Sequence, residues 1–474
     1  MQEHLIYVGG RFTATAKKAS VIAPFTGESI GEVFLAGSGE VEAAAVAARA
    51  AFKETKKLTP ADRAAVLMSI HDGIAARAEE LARVIAREAG KPLLNARQEV
   101  QRSLFTFLTA AEEAKRISGE VLPLEIHPLA KGRQCFIKRF PLGPILGITP
   151  FNFPLNLVAH KVAPALAAGN PIVIKPAPQT PLTALLLAEI VDASAWPKGA
   201  FSVVPTSNEL AETMARDERY KMLSFTGSPG VGWMLKNIAG KKKVALELGG
   251  NAGVIVHGDA DLEYAASRIV TGGFSYAGQT CIAVQRVFVQ RAVYEKFKAL
   301  FIPKVAALKT GDPLDETVNV GPLISPREVQ RILGWIDEAV KGGAKILCGG
   351  IGEESILQPT VLEQTSPQMK VNCMEVFGPV VTLIPYATMD EALALLNDSE
   401  FGLQAGIFSN DLRASFTAWE TLDVGGVMIG DVPTFRIDHM PYGGVKSSGL
   451  GREGLRYAIG EMTEPKSLVI NFPG

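Results

Sequence analysis

Two residues of this chain have the side chains needed for covalent chemistry on a carbonyl compound. Cys281 ends a Gly-Gln-Thr-Cys run, and Glu247 begins a Glu-Leu-Gly-Gly run. A thiol can attack an aldehyde carbon, and a carboxylate can activate the water that later frees the acyl group. Each motif alone is weak evidence, but together they predict a covalent mechanism with Cys281 as nucleophile and Glu247 as general base.

The other three cysteines, Cys135, Cys348 and Cys373, lie in no comparable setting. None of them forms the Cys-x-x-Cys or Cys/His spacing that is typical of a zinc site, so we expect no metal. Four cysteines in 474 residues are too few for a disulfide scaffold, which agrees with a reducing compartment.

Composition and charge limit the classes of function. With 47% hydrophobic and 20% charged residues, the chain can bury a large core and divide into two or more domains. A formal net charge of -1, without a long basic or acidic block, gives no reason to expect nucleic acid or a membrane as a partner. The N-terminus lacks a signal-peptide pattern and no segment approaches roughly 20 apolar residues in a row, so we expect a soluble cytoplasmic protein.

The elements that must position these residues begin with a group of helices. Apolar residues recur at helical spacing over residues 38–89, and Thr59-Pro60 opens the second helical segment. A further helix is predicted over residues 95–118, where Arg102 lies among apolar neighbours.

An arm is predicted over residues 119–139, where a short alternating pattern is interrupted by proline and glycine. Two strands there would have little core of their own, and the apolar C-terminal run 467–472 is a candidate for completing their sheet. Because exposed strand edges favour pairing, we expect a homodimer or a homotetramer.

Two series of apolar strands alternate with helical stretches, which indicates parallel sheets covered on both faces. The predicted fold class is α/β, with two Rossmann-like parallel-sheet domains, one for a cofactor and one for catalysis, and a small β oligomerisation arm. The strand runs lie within residues 145–148, 171–174, 201–204, 222–225, 244–248, 253–256, 286–289, 343–347 and 380–384. The predicted domains are 1–118 with 142–250 for the cofactor, 251–440 for catalysis, and 119–141 with 455–474 for the arm.

Six motifs follow one another in a characteristic order. They are Ile-Thr-Pro-Phe-Asn-Phe-Pro at 148–154, Lys-Pro at 175–176, Phe-Thr-Gly-Ser at 225–228, Glu-Leu-Gly-Gly at 247–250, Gly-Gln-Thr-Cys at 278–281 and Glu-Val-Phe-Gly-Pro at 375–379. This set resembles the aldehyde dehydrogenase superfamily over nearly the whole chain. Six motifs in the right order make the resemblance highly specific.

The resemblance implies the roles of three catalytic residues. Cys281 is similar to the family nucleophile, which forms a thiohemiacetal with the aldehyde and, after hydride loss, a thioester. Glu247 is similar to the base for thioester hydrolysis, and Asn152 to the amide that stabilises the oxyanion together with the Cys281 backbone N–H. The alternative roles are a buried structural thiol, a solvated charge at a strand end and an N-cap of the following helix, respectively.

A cofactor site is predicted where segment 225–232 follows a strand and opens a helix, since a helix N-terminus can receive phosphate groups. Its glycine spacing differs from G-x-G-x-x-G, so the pattern alone is weak evidence. The resemblance implies NAD or NADP, bound by Thr149, Pro150, Phe151, Lys175, Gly227, Ser228, Leu248, Glu375 and Phe377.

The choice between the two cofactors is expected to depend on Lys175 and on Pro178. The resemblance places Lys175 at the adenosine ribose, and NAD-preferring members commonly carry Glu where this chain has Pro178. Without that carboxylate a 2′-phosphate meets less repulsion and can pair with Lys175. We therefore expect NADP to be accepted; a preference for NADP and weaker binding of both cofactors are the two alternatives.

Segments 156–164 and 433–444 resemble a branch with lactaldehyde, non-phosphorylating glyceraldehyde-3-phosphate and phosphonoacetaldehyde dehydrogenases. The resemblance implies Arg102, His160 and Arg436 as ligands of a distal anion on a small aldehyde, since a guanidinium pairs with carboxylate or phosphate oxygens.

Simpler roles exist for two of these residues. Arg102 can pair with Glu99 or Glu112 on its own helix, and His160 can be a satisfied buried imidazole. Thr280, also placed at the substrate, stands where phosphate-specific members often carry Arg. This difference favours a small hydroxy- or carboxy-aldehyde.

Three other functions compete with oxidation of an aldehyde to its acid. A CoA-acylating dehydrogenase would pass the acyl group to a thiol, which Glu247 disfavours because it is suited to activating water. A cofactor-independent thiol hydrolase would need a histidine base, and the six scattered histidines offer none. An inactive relative is disfavoured because every expected catalytic position is filled.

Overall fold

The structure, a computed structural model, describes residues 2–472. Within that range the strands in chain order are β1 (Glu3–His4), β2 (Ile6–Val8), β3 (Arg11–Thr13), β4 (Lys17–Ile22), β5 (Ser29–Leu35), β6 (Glu120–Leu122), β7 (Arg133–Pro141), β8 (Ile145–Ile148), β9 (Ile172–Lys175), β10 (Phe201–Val203), β11 (Met222–Thr226), β12 (Lys243–Glu247), β13 (Gly253–Val256), β14 (Arg286–Gln290), β15 (Lys345–Cys348), β16 (Gly352–Glu353), β17 (Ile356–Leu357), β18 (Thr360–Glu363), β19 (Val380–Tyr386), β20 (Phe401–Gly402), β21 (Gln404–Phe408), β22 (Gly426–Ile429), β23 (Val445–Lys446), β24 (Gly449–Leu450) and β25 (Thr463–Asn471).

The α-helices of the same range are α1 (Ser38–Thr55), α2 (Pro60–Ala76), α3 (Ala78–Ala89), α4 (Leu93–Ala114), α5 (Asn156–Ala168), α6 (Leu182–Ala193), α7 (Asn208–Arg216), α8 (Pro229–Ile238), α9 (Leu262–Phe274), α10 (Tyr294–Ala306), α11 (Pro326–Lys341), α12 (Lys370–Cys373), α13 (Met389–Asn397), α14 (Leu412–Thr421) and α15 (Leu455–Glu461). Of these helices, none combines the length and the apolar character needed to cross a membrane.

An eight-stranded sheet in the order β24-β12-β11-β8-β9-β10-β2-β3 forms the first half of the molecule. Its five central strands are parallel and its edge strands are antiparallel. Strand β8 lies between β9 and β11, so the chain winds to one side of β8 and then to the other. A crevice opens beside the carboxyl ends of the strands at such a reversal, which is where open α/β sheets bind ligands.

Helices cover this sheet because they present apolar faces to it. The start of α2 follows the predicted signal, since Thr59 Oγ1 accepts from Asp62 N–H at 3.2 Å and the Thr59 N–H donates to the Asp62 carboxylate at 2.9 Å. Helix α4 runs from Leu93 to Ala114, somewhat before the predicted span, and packs against α2 and α5.

A seven-stranded sheet in the order β15-β18-β19-β14-β13-β21-β22 forms the second half. It is parallel except for β15, which runs antiparallel to β18. Strands β18, β21 and β22 were absent from the predicted series, whose other members are present. Both faces carry helices, so the sequence prediction of two parallel-sheet units is confirmed.

The arm is a three-stranded antiparallel sheet in the order β25-β7-β6. Strand β25 pairs with β7 along its full length, from Thr463 opposite Pro141 to Asn471 opposite Arg133. The prediction that the C-terminal run completes the arm is therefore confirmed. The proposed domain boundaries and the homo-oligomer remain predictions.

Candidate active site

The candidate site lies where the carboxyl ends of β8, β9, β11 and β12 meet the second sheet. Neighbouring strands end together here, with Thr226 of β11 opposite Glu247 of β12. A cavity of about 300 Å³ opens at this edge. Its lining consists of Arg102, Pro150, Phe151, Asn152, Phe153, Asn156, Leu157, Thr226, Gly227, Ser228, Glu247, Leu248, Gly249, Thr280, Cys281, Ile282, Glu375, Phe377, Arg436 and Tyr442.

Cys281 follows a tightly wound loop at the end of α9. Tyr276, Ala277 and Gly278 all have left-handed backbones, with φ of 51°, 53° and 67°. Two consecutive non-glycine residues in this region are costly, and the surrounding structure must hold them there. The Tyr276 hydroxyl donates to the Ala89 carbonyl at 2.9 Å, which ties the loop to the end of α3.

Gln279 anchors the same loop from its other side. Its side-chain amide donates to the Pro322 carbonyl at 3.2 Å and accepts from the Ile324 N–H at 2.9 Å. The residue is fully buried. The polar residue before Thr280 therefore fixes the backbone from which the Cys281 thiol projects.

The Cys281 thiol lies beside the hydroxyl of Tyr442, a residue of segment 433–444 for which the sequence had indicated no role. Its Sγ is 3.0 Å from the Tyr442 hydroxyl, and Ile282 and Leu403 provide apolar surroundings. Burial raises the pKa of the Cys281 thiol to about 12, although the Tyr442 hydrogen bond opposes that shift. Burial thus favours the protonated thiol, and the hydrogen bond with Tyr442 favours the thiolate.

Asn152 is tied to the nucleophile loop and does not cap α5. Its Nδ2 donates to the Gln279 carbonyl at 2.9 Å, while helix α5 has Leu155 at its N-cap without a side-chain hydrogen bond. An amide nitrogen carries two hydrogens, so one N–H of Asn152 stays available toward the cavity. This geometry suits a donor that stabilises an oxyanion next to Cys281.

Glu247 ends β12 with its carboxyl group buried. Among the described residues, neither oxygen of Glu247 accepts a hydrogen bond. Burial, reinforced by the negative charge of Glu453, raises the pKa of Glu247 well above its usual range. A carboxyl group without fixed partners is free to take a proton from a water molecule in the cavity.

The two glycines after Glu247 are required by close packing. A Cβ on Gly249 would lie 2.3 Å from Glu375 Oε2, and a Cβ on Gly250 would lie 2.5 Å from the Cys281 carbonyl oxygen. The φ values of both glycines are outside the left-handed region, so the close approach of the Glu375 and Cys281 loops explains these glycines.

The cofactor end of the cavity begins at α8. Ser228 is the N-cap of this helix, and its side chain makes no capping hydrogen bond. A Cβ on Gly227 would lie 2.6 Å from the Phe225 ring. A ten-residue helix that points its N-terminus and the Ser228 hydroxyl at the crevice fits a pyrophosphate.

Glu375 and Phe377 approach the same end from the second sheet. Glu375 Oε1 accepts from the Gly250 N–H at 2.9 Å, and burial raises the pKa of Glu375 to about 7. The rings of Phe377 and Phe151 contact edge to face with centroids 5.9 Å apart. The cavity thus has a polar group and an aromatic wall where a nicotinamide riboside would fit.

Lys175 and Thr149 lie behind this part of the lining. Lys175 Nζ is 3.4 Å from Asn208 Oδ1, and burial lowers the pKa of Lys175. Thr149 is buried, and its N–H donates to the Lys175 carbonyl at 3.1 Å. Pro178 is exposed.

At the opposite end Arg102 pairs with a residue that the sequence had not indicated. Its Nε and Nη2 donate to the two oxygens of Asp438 at 3.2 and 2.6 Å. Asp438 is buried, and His160 Nε2 lies 2.9 Å from its Oδ1. Arg102 therefore pairs with neither Glu99 nor Glu112.

Arg436 belongs to a second buried pair. Its Nη2 donates to Glu453 Oε2 at 3.0 Å and lies 2.8 Å from His160 Nδ1. Its guanidinium also stacks over the Tyr442 ring, 3.6 Å from the centroid. His160 does not line the cavity; it joins the two pairs from behind and is buried.

The structure gathers most of the predicted site residues around one cavity. Thr149, Lys175 and His160 lie behind the lining. The sequence prediction did not include Tyr442, Asp438 or Glu453 among the site residues. Tyr442 and Asp438 lie in segment 433–444 and Glu453 lies shortly after it, and this position was the only indication in the sequence. Their contacts join residues that are far apart in the chain.

Comparison with known proteins gives consistent findings. The model of the aldehyde dehydrogenase family matches residues 12–468. A 3-sulfolactaldehyde dehydrogenase of Priestia aryabhattai is 43% identical over 473 residues, covering 100% of this chain and 99% of that protein.

Two solved structures extend the likeness. Aldehyde dehydrogenase 21 of Physcomitrella patens, in complex with the reaction product succinate, has a TM-score of 0.98 and 43% identity over 99% of this chain and 98% of that one. A glyceraldehyde-3-phosphate dehydrogenase of Methanocaldococcus jannaschii complexed with NADP has a TM-score of 0.93 and 38% identity over 97% of this chain and 100% of that one.

Proposed function

The chain belongs to the aldehyde dehydrogenase family and uses NAD or NADP, and on that premise we propose that it oxidises a small aldehyde with an anionic far end to the carboxylic acid. One observation carries the proposal. Cys281, Asn152 and Glu247 line the same cavity of about 300 Å³ as two guanidinium groups, those of Arg102 and Arg436. A small molecule can therefore place its carbonyl at the thiol and its anion at the arginines.

The first step is attack by Cys281. The thiol proton passes to solvent water and leaves a thiolate that accepts a hydrogen bond from Tyr442, and Sγ forms a bond to the aldehyde carbon as the C=O π bond breaks. The carbonyl oxygen becomes an oxyanion, which the Asn152 amide and the Cys281 backbone N–H stabilise. Preorganised donors of this kind contribute roughly 3–4 kcal/mol. Both are neutral, so they also permit the oxyanion to collapse.

The cofactor, when bound, supplies the nicotinamide that accepts the hydride from the thiohemiacetal carbon. In this chain Gly227 and Ser228 would hold the pyrophosphate, and Glu375 and Phe377 would hold the nicotinamide riboside. After hydride loss the acyl group remains on Cys281 as a thioester.

Hydrolysis of the thioester depends on Glu247. Its carboxylate takes a proton from water as the water oxygen bonds to the acyl carbon, and the C–S bond then breaks to release the acid and the thiolate. Because the pKa of Glu247 is raised by burial, this base becomes more available as pH rises. The presence of this base favours water over coenzyme A as the acyl acceptor.

The far end of the substrate is placed by the arginines. Arg102 Nη1 and Arg436 Nη1 make no hydrogen bond among the described residues, so each can donate to a carboxylate or sulfonate oxygen. The relatives whose names include sulfolactaldehyde or whose structure holds succinate act on molecules with such groups. A carboxylate or sulfonate end is the chemistry that we propose here.

A matched aldehyde panel tests the function. We expect succinate semialdehyde and 3-sulfolactaldehyde to have kcat/KM at least about tenfold above that of butanal, which has the carbon skeleton of succinate semialdehyde without its charge. Mass spectrometry with and without coenzyme A should find the free acid in both cases. A preference for butanal, or acyl-CoA as the main product, would contradict the proposal.

We also propose that NADP is accepted, because Pro178 leaves Lys175 without an adjacent carboxylate to repel a 2′-phosphate. Pro178→Glu should lower the ratio of kcat/KM with NADP to that with NAD by roughly tenfold. The KM for the aldehyde serves as an internal control and should stay within about twofold. An unchanged cofactor ratio would show that Pro178 does not determine the cofactor preference.

A further inference from the structure

A fully buried ion pair, formed by Lys91 and Glu99, has no role in the steps above. Lys91 lies just before α4 and Glu99 lies on α4, and neither side chain has exposed surface. Burial lowers the pKa of Lys91 to about 8, although Glu99 opposes that shift. Taking two charges out of water costs free energy, so stability alone does not explain the pair.

Glu99 holds the start of α5, the helix that follows Asn152. One of its carboxylate oxygens accepts hydrogen bonds from the backbone N–H groups of Leu155 and Asn156, at 2.9 and 3.1 Å. Helix α5 has no side-chain cap of its own, since its N-cap residue is Leu155. The carboxylate therefore serves as the missing cap and fixes the backbone shortly after Asn152.

Lys91 contacts both sides of the active site through its ammonium group. Its Nζ lies 3.6 Å from the centroid of the Phe153 ring and 4.4 Å from that of the Tyr276 ring. Phe153 is the chain neighbour of Asn152 and lines the cavity. Tyr276 belongs to the left-handed loop that precedes Cys281. Because a desolvated cation attracts aromatic rings, Lys91 holds both rings, whose centroids are 6.1 Å apart.

The two residues before this lysine contact the supports of the nucleophile loop. The Ala89 carbonyl accepts from the Tyr276 hydroxyl at 2.9 Å. A Cβ on Gly90 would lie 2.6 Å from the Pro322 ring, and the Pro322 carbonyl accepts from the Gln279 side chain at 3.2 Å. This segment therefore joins the start of α4 to both supports of the loop.

We propose that the Lys91–Glu99 pair is a positioning device, which sets the separation between the oxyanion donor and the nucleophile. Glu99 fixes the segment that carries Asn152. Lys91 ties that segment to the loop that carries Cys281. Asn152 Nδ2 donates to the Gln279 carbonyl at 2.9 Å, and this bond keeps its direction only if the two backbones keep their separation. The inference rests on the proposed function, because it takes Asn152 as the oxyanion donor.

A double-mutant cycle on the acylation step tests the proposal. Lys91→Met combined with Glu99→Gln removes both charges together, so neither partner is left as an unpaired buried ion. We expect this double variant to slow the first-turnover burst of NAD(P)H about 10- to 30-fold, with a change of less than about threefold in the KM for succinate semialdehyde. Asn152→Ala removes the donor and should slow the burst about 10²- to 10³-fold.

The variant that combines all three substitutions decides between positioning and stability. If the pair acts through Asn152, adding Lys91→Met and Glu99→Gln to Asn152→Ala should slow the burst by no more than about threefold further. A pair that only stabilises the fold would give losses that multiply, and that result would overturn the inference. An unchanged burst rate in the double variant would overturn it as well.

Lys298 and Glu363 provide a matched control in the second half of the molecule. Lys298 Nζ lies 3.1 Å from the Glu363 carboxylate and 5.2 Å from the centroid of the Tyr294 ring, and none of the three lines the cavity. Lys298→Met combined with Glu363→Gln should keep the burst rate within about twofold of wild type. An equal loss in this control would assign the effect to stability and overturn the inference.

The outcomes distinguish this inference from the proposed function. If Asn152→Ala keeps the wild-type burst rate, the oxyanion step of the proposed function fails. If Asn152→Ala slows the burst but the losses multiply, only the role of the pair fails.

A second variant applies if the double variant does not fold. Glu99→Gln keeps an acceptor for the two α5 N–H groups and removes the charge that pairs with Lys91. It should slow the burst at least about fivefold when Asn152 is present and no more than about threefold in Asn152→Ala. Any other pattern would overturn the inference.

Discussion

The two ends of the substrate cavity differ in whether their charged groups form ion pairs. At the reactive end both Glu247 oxygens and Asn152 Oδ1 lack hydrogen-bond partners among the described residues, and Cys281 has only Tyr442. At the anion end each guanidinium has a buried carboxylate of its own, although Arg436 Nε and Glu453 Oε1 make no hydrogen bond among the described residues. Leaving buried polar atoms unpaired costs free energy, so the reactive end gives up stability to keep its groups available.

The difference follows from the two functions of these groups, which are proton transfer at one end and anion recognition at the other. A group that takes or gives protons during a reaction needs partners that change, whereas a group that recognises a fixed anion benefits from being held in place. Substitutions at the reactive end should therefore change rates, and substitutions at the anion end should change the choice of substrate.

Removing the nucleophile gives the largest expected effect. Cys281→Ala should lower kcat by about 10⁴-fold or more, since no other group in the cavity can carry the acyl chain. Mass spectrometry of protein quenched during turnover should show an acyl adduct on the wild type alone. Cys348→Ala, in β15, is the matched control and should retain activity. Turnover by Cys281→Ala at a near-normal rate would rule out the covalent mechanism.

Removing the base should separate the two half-reactions. Glu247→Gln is expected to keep a first-turnover burst of NAD(P)H while lowering the steady-state rate by roughly 10²- to 10⁴-fold. The raised pKa of Glu247 means that the carboxyl group is protonated and inactive as a base at low pH. The wild-type deacylation rate should therefore rise with pH, and stopped-flow measurements should find that rise absent in the variant. Loss of the burst itself would assign Glu247 to the first step instead.

At the anion end Arg102→Met should change selectivity more than chemistry. We expect kcat/KM for succinate semialdehyde to fall about 30-fold, with less than about a threefold change for butanal. The control is Arg97→Met on the same helix, where Arg97 pairs with Glu79 at the surface. Equal losses for both aldehydes would show that Arg102 only supports the fold.

The smallest effect is expected from Tyr442→Phe, which removes the hydrogen bond to Cys281. The pKa of Cys281 should rise further, and alkylation by iodoacetamide at fixed pH should slow about tenfold. Tyr457→Phe, at a half-exposed tyrosine of α15, is the control. An unchanged alkylation rate would mean that Tyr442 only packs against Arg436.

The fold could be predicted from sequence wherever one local pattern determined an element. Thr59-Pro60 marked the start of α2, and the apolar runs marked most of the parallel strands. Strands β22 and β24 were missed because they are short and half-exposed, and the pairing partner of β24, strand β12, lies far away in sequence. Nothing local distinguishes such segments from loops.

The candidate site likewise contains residues that local motifs could predict and residues that only distant contacts explain. Cys281 and Asn152 stand in dense motifs, so their positions could be predicted. Asp438 and Glu453 act through partners about 280 to 340 residues away, such as His160 and Arg102, and no spacing rule connects them. The glycines at 249 and 250 were recognised, but only the close approach of two other loops explains them.

The contacts of Asp438 have a consequence for protein engineering. The residue lies in a loop of the second half of the molecule, but its partners are on α4 and α5 of the first half. Transplanting segment 433–442 from a relative would import one side of an ion pair without the other. A chimera designed for a new substrate range must therefore exchange this loop together with α4 and α5.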